Sequence, residues 1–208
     1  CVRAAIDKDD PYRVYDDAFV PAFVLVKTAR GEGQIDPDDE KRVVRIAREI
    51  LDETIDDLSK EPTGREEFAQ RIRLMACPAQ DDIDRLTLDM LVSQLPLSQW
   101  EVRLTAVATL TAELLTDAAA FDPQVIVIAS LPPGGSAHAR YLCKRLRTRF
   151  PNSHILVGRW GEASVDTPAW INAGANATDN TIAEAVQHLH DWEPVFKIEE
   201  AAPVAELH

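Results

Sequence analysis

The sequence predicts an α/β chain in which a five-stranded parallel sheet, covered by helices on both faces, follows a short helical segment. Three observations lead there. From residue 71 onward, five short apolar runs alternate with five stretches of helical period. The third run, Val125–Leu131, is almost continuously apolar, as a strand covered on both faces must be. Before residue 60 the pattern is helical only.

In order, Tyr12–Arg30 places Val14, Ala18, Pro21, Ala22 and Leu25 at helical spacing, with Pro21 set to kink or restart the helix and Gly31 and Gly33 ending it. A second helix opens at Asp36-Pro37, a cap followed by a residue suited to the first turn. It runs to about Ser59 with Val43, Ile46, Ala47, Ile50 and Ile55 on one side, and Lys60–Gly64 reads as a linker. Two helices cannot close a core, so this segment must pack on the next domain or on another chain. The alternation then runs strand Arg71–Cys77, helix Asp81–Leu95, strand Trp100–Ala106, helix Leu110–Ala120 and strand Val125–Leu131. It continues with helix Ser136–Phe150, strand Ile155–Gly158, helix Thr167–Ala173, strand Ala175–Thr178 and helix Thr181–Trp192. Right-handed crossovers and this size predict a flavodoxin-like (Rossmann-like) sheet of order 2-1-3-4-5. The divisions are a helical segment over 1–66, an α/β domain over 67–195 and an Ala- and Glu-rich tail over 196–208.

The 208 residues carry 22 Lys plus Arg against 35 Asp plus Glu, a formal charge of −13, so general nucleic-acid binding is disfavoured. Three scattered cysteines without a C-x-x-C pair suggest neither a zinc site nor a disulfide framework, and fit a reducing cytoplasm. No run reaches the ~20 apolar residues of a membrane span, and no signal peptide is evident. The chain begins at Cys1, which fits a piece of something longer.

In such a sheet, ligands sit beyond the carboxyl ends of the strands, at the switch between the first and third. That gathers Cys77–Asp82, Ser130–Ser136 and Gly158–Gly161. Gly134 and Gly135, before the helix starting at Ser136, either let backbone approach an anionic ligand or make a tight turn. Trp160 either covers a flat ligand or packs on the helical segment. His138 lies in the first turn of its helix as a possible donor, and Cys143 reads as buried and inert. Arg140, Lys144 and Arg147, with Arg145 and Arg149, form either a solvated face or a surface for an acidic partner. Asp81, Asp82 and Asp84 stand where phospho-accepting receiver domains of the same topology place the acids that bind magnesium. Ser130-Leu131 and Thr178-Asp179 occupy the positions at which those domains need an Asp and a Lys, so that reading fails and Asp81 is expected to cap its helix. No catalytic set assembles, and no enzyme activity or metal is expected.

The segment Asp17-Ala-Phe-Val-Pro-Ala-Phe23 … Gly33-Gln-Ile-Asp-Pro-Asp-Asp-Glu40, and Ala173-Gly-Ala … Ile182-Ala-Glu-Ala-Val186 at the other end, resemble the helical cap and the Rossmann-like half of cobalamin-binding domains. That family carries D-x-H-x-x-G after the first strand, then S-x-L, then paired glycines. Aligned on Asp82-Ile83, its cobalt-ligating His falls at Asp81, its Asp at Ala79 and its Gly at Asp84, while Ser130, Gly158 and Gly161 are retained. In the repressor-type cap a Trp and, after nine intervening residues, a Glu-His pair cover the ligand, and here Arg30, Glu40 and Lys41 take those places. A carboxylate is no substitute for an axial imidazole, so no cobalamin cofactor is expected. The run Leu131-Pro-Pro … Ala137-His-Ala-Arg-Tyr-Leu-Cys-Lys-Arg-Leu-Arg147 … Val157-Gly-Arg-Trp-Gly161 resembles the soluble C-terminal region of autoinducer-2 exporter-type permeases, whose cobalamin-like domain lacks the His.

That resemblance implies a non-enzymatic cytosolic regulatory, ligand-sensing or assembly domain, tethered to a membrane permease portion of the same polypeptide and open to homo-oligomerisation. A small-molecule ligand is expected at Asp81, Asp82, Ser130, Gly134, Gly135, Ser136, Gly158 and Trp160. The alternatives are a true corrinoid carrier that manages without the His, and an enzyme using the Ser130–Ser136 loop on a phosphorylated small molecule.

Overall fold

The computed structural model describes residues 12–58, 71–107 and 109–199. Five strands, β1 (Ile72–Pro78), β2 (Trp100–Leu104), β3 (Val125–Ala129), β4 (His154–Gly158) and β5 (Ala177–Asp179), form one sheet of order 2-1-3-4-5. Every pairing is parallel, with Leu74 opposite Val125, Val125 opposite His154 and Leu156 opposite Ala177. This is the predicted topology. The helices are α1 (Val20–Gly31), α2 (Pro37–Leu58), α3 (Asp82–Val92), α4 (Thr111–Phe121), α5 (Ser136–Arg149), α6 (Thr167–Asn172) and α7 (Ile182–Glu199).

Strand side chains alternate between faces, and the two faces make two cores. Leu74, Ala76, Val125, Val127 and Leu156 pack with α3, α7 and the N-terminal helices. Met75, Cys77, Ile126, Ile128, Ile155 and Val157 pack with α4, α5 and α6. The helical segment therefore covers one face only, as an outer layer of this domain.

Its buried stripe differs from the expected one. Val14 is buried as expected, and with it Tyr15, Phe19, Val20 and Phe23, whereas Ala18, Pro21, Ala22 and Leu25 face outward, Leu25 at 69% exposure. The cause is a π-helical turn, Tyr15–Phe19, in which the Val20 amide reaches back to the Tyr15 carbonyl. It precedes Pro21, whose missing amide already interrupts the i→i−4 ladder, and it turns the three rings inward. Neighbouring centroids of Tyr15, Phe19 and Phe23 lie 6.1 Å apart. Each buried ring contributes on the order of 2 kcal/mol.

The stripe on α2 holds in part. Ala47 is buried and Ile50 and Ile55 pack against the core as expected, joined by buried Leu51 and Thr54, while Val43 and Ile46 are exposed. Asp36 starts the helix as expected, its Oδ1 accepting from the Asp38 and Asp39 amides at 2.8 Å each. Those two bonds hold its carboxyl below the usual range. At the other end, α7 runs through Pro194 to Glu199, past the expected limit at Trp192 and into the expected tail. Phe196 is buried there, 5.0 Å from the His154 ring, and that packing outweighs the amide lost at Pro194. The expected linker at 60–64, the boundary at 66/67 and residues 200–208 lie outside the described residues.

Candidate functional site

At the carboxyl edge, β1 ends in Pro78 and the chain turns through Ala79-Gln80-Asp81 into α3. Asp81 caps α3 as expected, with Oδ1 accepting from the Asp84 amide at 3.0 Å. Its second oxygen is held from outside the sheet domain. Lys27 of α1, with 6% of its side chain exposed, donates from Nζ to Asp81 Oδ2 at 2.7 Å and to Asp84 Oδ1 at 3.0 Å. Asp84 is fully buried and also accepts from the Leu131 amide at 2.9 Å and the Gln80 amide at 3.0 Å. Burial pushes its carboxyl up to about 6, against the pull of Lys27. Asp84 thus ties the start of α3 to the end of β3, and Lys27 ties both to the helical segment. Asp82 is exposed on the first turn of α3 and stands apart from this cluster.

The loop after β3 is held from beneath. Arg159, only 3% exposed, donates from Nη1 to the Ser130 carbonyl at 2.7 Å, Ser130 Oγ at 3.1 Å and the Gly134 carbonyl at 2.9 Å. Its Nε meets Glu162 Oε2 at 2.6 Å. The guanidinium points inward, and its Nη1 donors go to the loop's own oxygens. The Ser136 amide is likewise taken, by the Gly134 carbonyl at 2.8 Å. Gly135 has φ +69°, and a Cβ there would lie 2.5 Å from Ser130 Oγ and 2.7 Å from Gln80 Oε1. The glycine lets the loop close on β1's turn, in keeping with the tight-turn reading.

Of the two readings of Trp160, the structure has it packing inward. It is fully buried, in one apolar cluster with Phe19, Val20 and Phe23. A Cβ on Gly158 would overlap its indole, and one on Gly161 would come within 2.8 Å of Val24 and 2.9 Å of Val20 on α1. Both glycines therefore serve the approach of the chain's own groups. Among the described residues the indole Nε1 has no hydrogen-bond partner, at a cost of roughly 1–3 kcal/mol. In the cap, Arg30 and Glu40 form an ion pair at 3.4 Å.

Of the eight expected residues, Asp81, Ser130, Gly134 and Gly135 come together with Gln80, Asp84 and Arg159, and Gly158 and Trp160 meet beneath α1. The residue missed was Lys27. It lies eight positions after Phe19 and four after Phe23 on the buried stripe, so a cation on that apolar spacing was the available signal.

On the opposite face, a cavity of about 400 Å³ opens between α4 and α5, lined by Cys77, Gln80, Thr105, Leu114, His138 and Leu142 among others. Burial pushes the thiols of Cys77 and Cys143 up to about 12 and about 11, so both are inert at neutral pH. Among the described residues, no group of three or more His, Cys, Asp or Glu side chains could hold a metal ion. No described helix is long and apolar enough to cross a membrane.

No protein-family model and no curated protein matches the chain. Solved structures do. A cobalamin-binding protein of Desulfitobacterium hafniense DCB-2 is 15% identical, with 92% of this chain and 87% of that one covered and a TM-score of 0.50. The monomethylamine corrinoid protein of Methanosarcina barkeri is also 15% identical, over 92% and 99%, with a TM-score of 0.50. A putative response regulator of Chloroflexus aurantiacus J-10-fl is 22% identical over 60% of this chain and 99% of that one, at a TM-score of 0.46. At these identities the likeness is one of fold, and it includes the helical segment: the chain is similar in architecture to corrinoid proteins, a helical cap on a Rossmann-like domain.

Proposed function

We propose that the chain is a non-enzymatic regulatory domain, serving ligand sensing or assembly, in which a cobalamin-type crevice is closed by the protein's own side chains. The observation that carries this reading is Lys27, whose ammonium fills the space between Asp81 and Asp84 at 2.7 and 3.0 Å. The residues present do not suit a corrinoid. Asp81, at the expected place of the axial His, is engaged by its own helix and by Lys27, and the Trp160 indole occupies the space above Gly158. A charge-paired, apolar-filled crevice suits a scaffold that couples two parts of a molecule better than a carrier or a catalyst.

The test is a titration of the purified chain with hydroxocobalamin and adenosylcobalamin, followed by visible absorption and calorimetry. The expected outcome is no saturable complex; a stoichiometric one of sub-micromolar affinity would overturn the reading. The finer proposal, attachment to a membrane permease in the cytoplasm, has its support in the run from Leu131 to Gly161. Fractionation of cells making the native gene product tests it, since recovery wholly in the supernatant would refute it.

A further inference from the structure

The charge of this chain is unevenly placed. Residues 123–161 contain no Asp or Glu, in a chain whose net charge is −13. Within that stretch, α5 alone carries Arg140, Lys144, Arg145, Arg147 and Arg149. The structure separates these by use. Arg147 is committed inward, donating to the carbonyls of Gly174, Pro151 and Ser153 at 2.7–2.8 Å and to the Asn176 side chain. Lys144, Arg145 and Arg149 are exposed and Arg140 half-buried; among the described residues none of the four has a carboxylate within salt-bridge distance. Arg140 lies 5.5 Å from the Trp170 ring and Arg149 5.8 Å from Phe150. Elsewhere pairing is the habit: Arg13, Arg30, Lys41, Arg42, Arg48 and Arg73 each have a carboxylate within 3.4 Å.

Two apolar groups stand among or beside these cations. Tyr141 is 50% exposed on the same side of α5, and Ile171 is 46% exposed on α6, the helix that α5 touches through Arg140 and Trp170. Cations flanking an exposed aromatic ring on a helix suit the boundary between lipid head groups and acyl chains, where Tyr sits with its polar end wet. The ridge spans a helix of about 21 Å, and a helix surface is convex, better matched to a flat anionic surface than to an extended peptide needing a groove. Acidic groups on the neighbouring helices are Glu113 and Asp117, exposed on α4, and Asp166 at the start of α6. The remaining acidic surface is screened beyond a Debye length of about 8 Å.

We infer that the outer face of α5 is a docking surface for an anionic lipid bilayer, contacted peripherally through Arg140, Tyr141, Lys144, Arg145 and Arg149. The inference goes beyond the proposed function and does not depend on the permease attachment, because the purified chain alone should show it.

The experiment is co-sedimentation of the full chain with vesicles of phosphatidylcholine alone and with vesicles containing phosphatidylglycerol, at low and high salt. Binding is expected only to the anionic vesicles and should disappear at ~1 M salt. The double variant Lys144→Glu/Arg145→Glu, with an unchanged melting curve, should lose at least about thirtyfold in affinity, following the worth of two interfacial cations. Tyr141→Ala should weaken binding less, and Lys41→Glu/Arg42→Glu on α2 should leave it unchanged. Absent binding to anionic vesicles, equal binding to both kinds, or equal loss in the α2 variant would each overturn the inference. Binding of polyglutamate or duplex DNA, but not vesicles, through the same two residues would assign the face to an acidic macromolecule and overturn the lipid assignment.

Discussion

Replacing Lys27 with methionine keeps the length and apolar stem of the side chain and removes only its charge. Asp84, with no exposed surface, would then retain two amide donors, from Leu131 and Gln80, and no counter-ion. Breaking one side of a buried ion pair costs about 3–5 kcal/mol; partial exposure of Asp81 and the two remaining amides place this case near the lower figure. The cost must depend on pH. Asp84 has a folded pKa of about 6 against an ordinary 3.8, so its own contribution to stability is greatest at low pH and falls as pH rises through that window. Lys27 opposes that fall and matters most where Asp84 is ionised, above pH 6. At pH 8 Lys27→Met should cost about 3 kcal/mol, or roughly 6–12 °C in melting temperature. At pH 5 Asp84 is largely protonated in both proteins. Only the part-exposed pair with Asp81 is then lost, worth about 1 kcal/mol or less and roughly 2–4 °C. Thermal unfolding followed by circular dichroism at the two pH values decides. A loss equal at both, or below ~2 °C at pH 8, would refute the assignment of Lys27 as Asp84's counter-ion.

Trp160→Ala should destabilise by about 3–5 kcal/mol in denaturant titrations, because it empties the space between Gly158 and α1. Trp160→Phe should cost less, since it also removes a buried N–H that has no partner among the described residues. Asp16→Ala should cost about 1–2 kcal/mol, because its carboxylate caps α7 through the Ile182 and Ala183 amides at 2.7 and 3.0 Å. A melting temperature unchanged by that substitution would show the cap to be idle.

The sheet was legible because its information is local and redundant. Each central strand is apolar on both faces, the helices between are amphipathic, and parallel order with right-handed crossovers leaves few alternatives. The helical segment was legible in extent but not in orientation. Ala18, Ala22 and Leu25 satisfy helical spacing as well as Tyr15, Phe19 and Phe23 do. The choice between those stripes rests on a π turn that shifts the register just before Pro21. The end of α7 was expected at Trp192 because the Ala- and Glu-rich stretch from residue 196 reads as a tail, whereas Phe196 finds its partner His154 across more than forty residues of sequence. At the crevice the participating turns were readable from topology alone. The groups that fill them were not, because Lys27 and Trp160 act through tertiary contacts, and in sequence one looks like a surface cation and the other like an edge aromatic.

The Asp16 carboxylate that caps α7 meets amides 166 and 167 positions further along the chain. During synthesis the helical segment leaves the ribosome long before that partner exists. Tyr15, Phe19 and Phe23 find part of their cover on α2 and α3, but the part supplied by Trp160 and α7 is made much later. Closing so large a loop comes late in folding, because its entropy must be spent before any contact repays it. The contact between the helical segment and α7 is therefore among the later ones to form. Until α7 emerges, the aromatic ladder stays open on that side to chaperones and to misassociation.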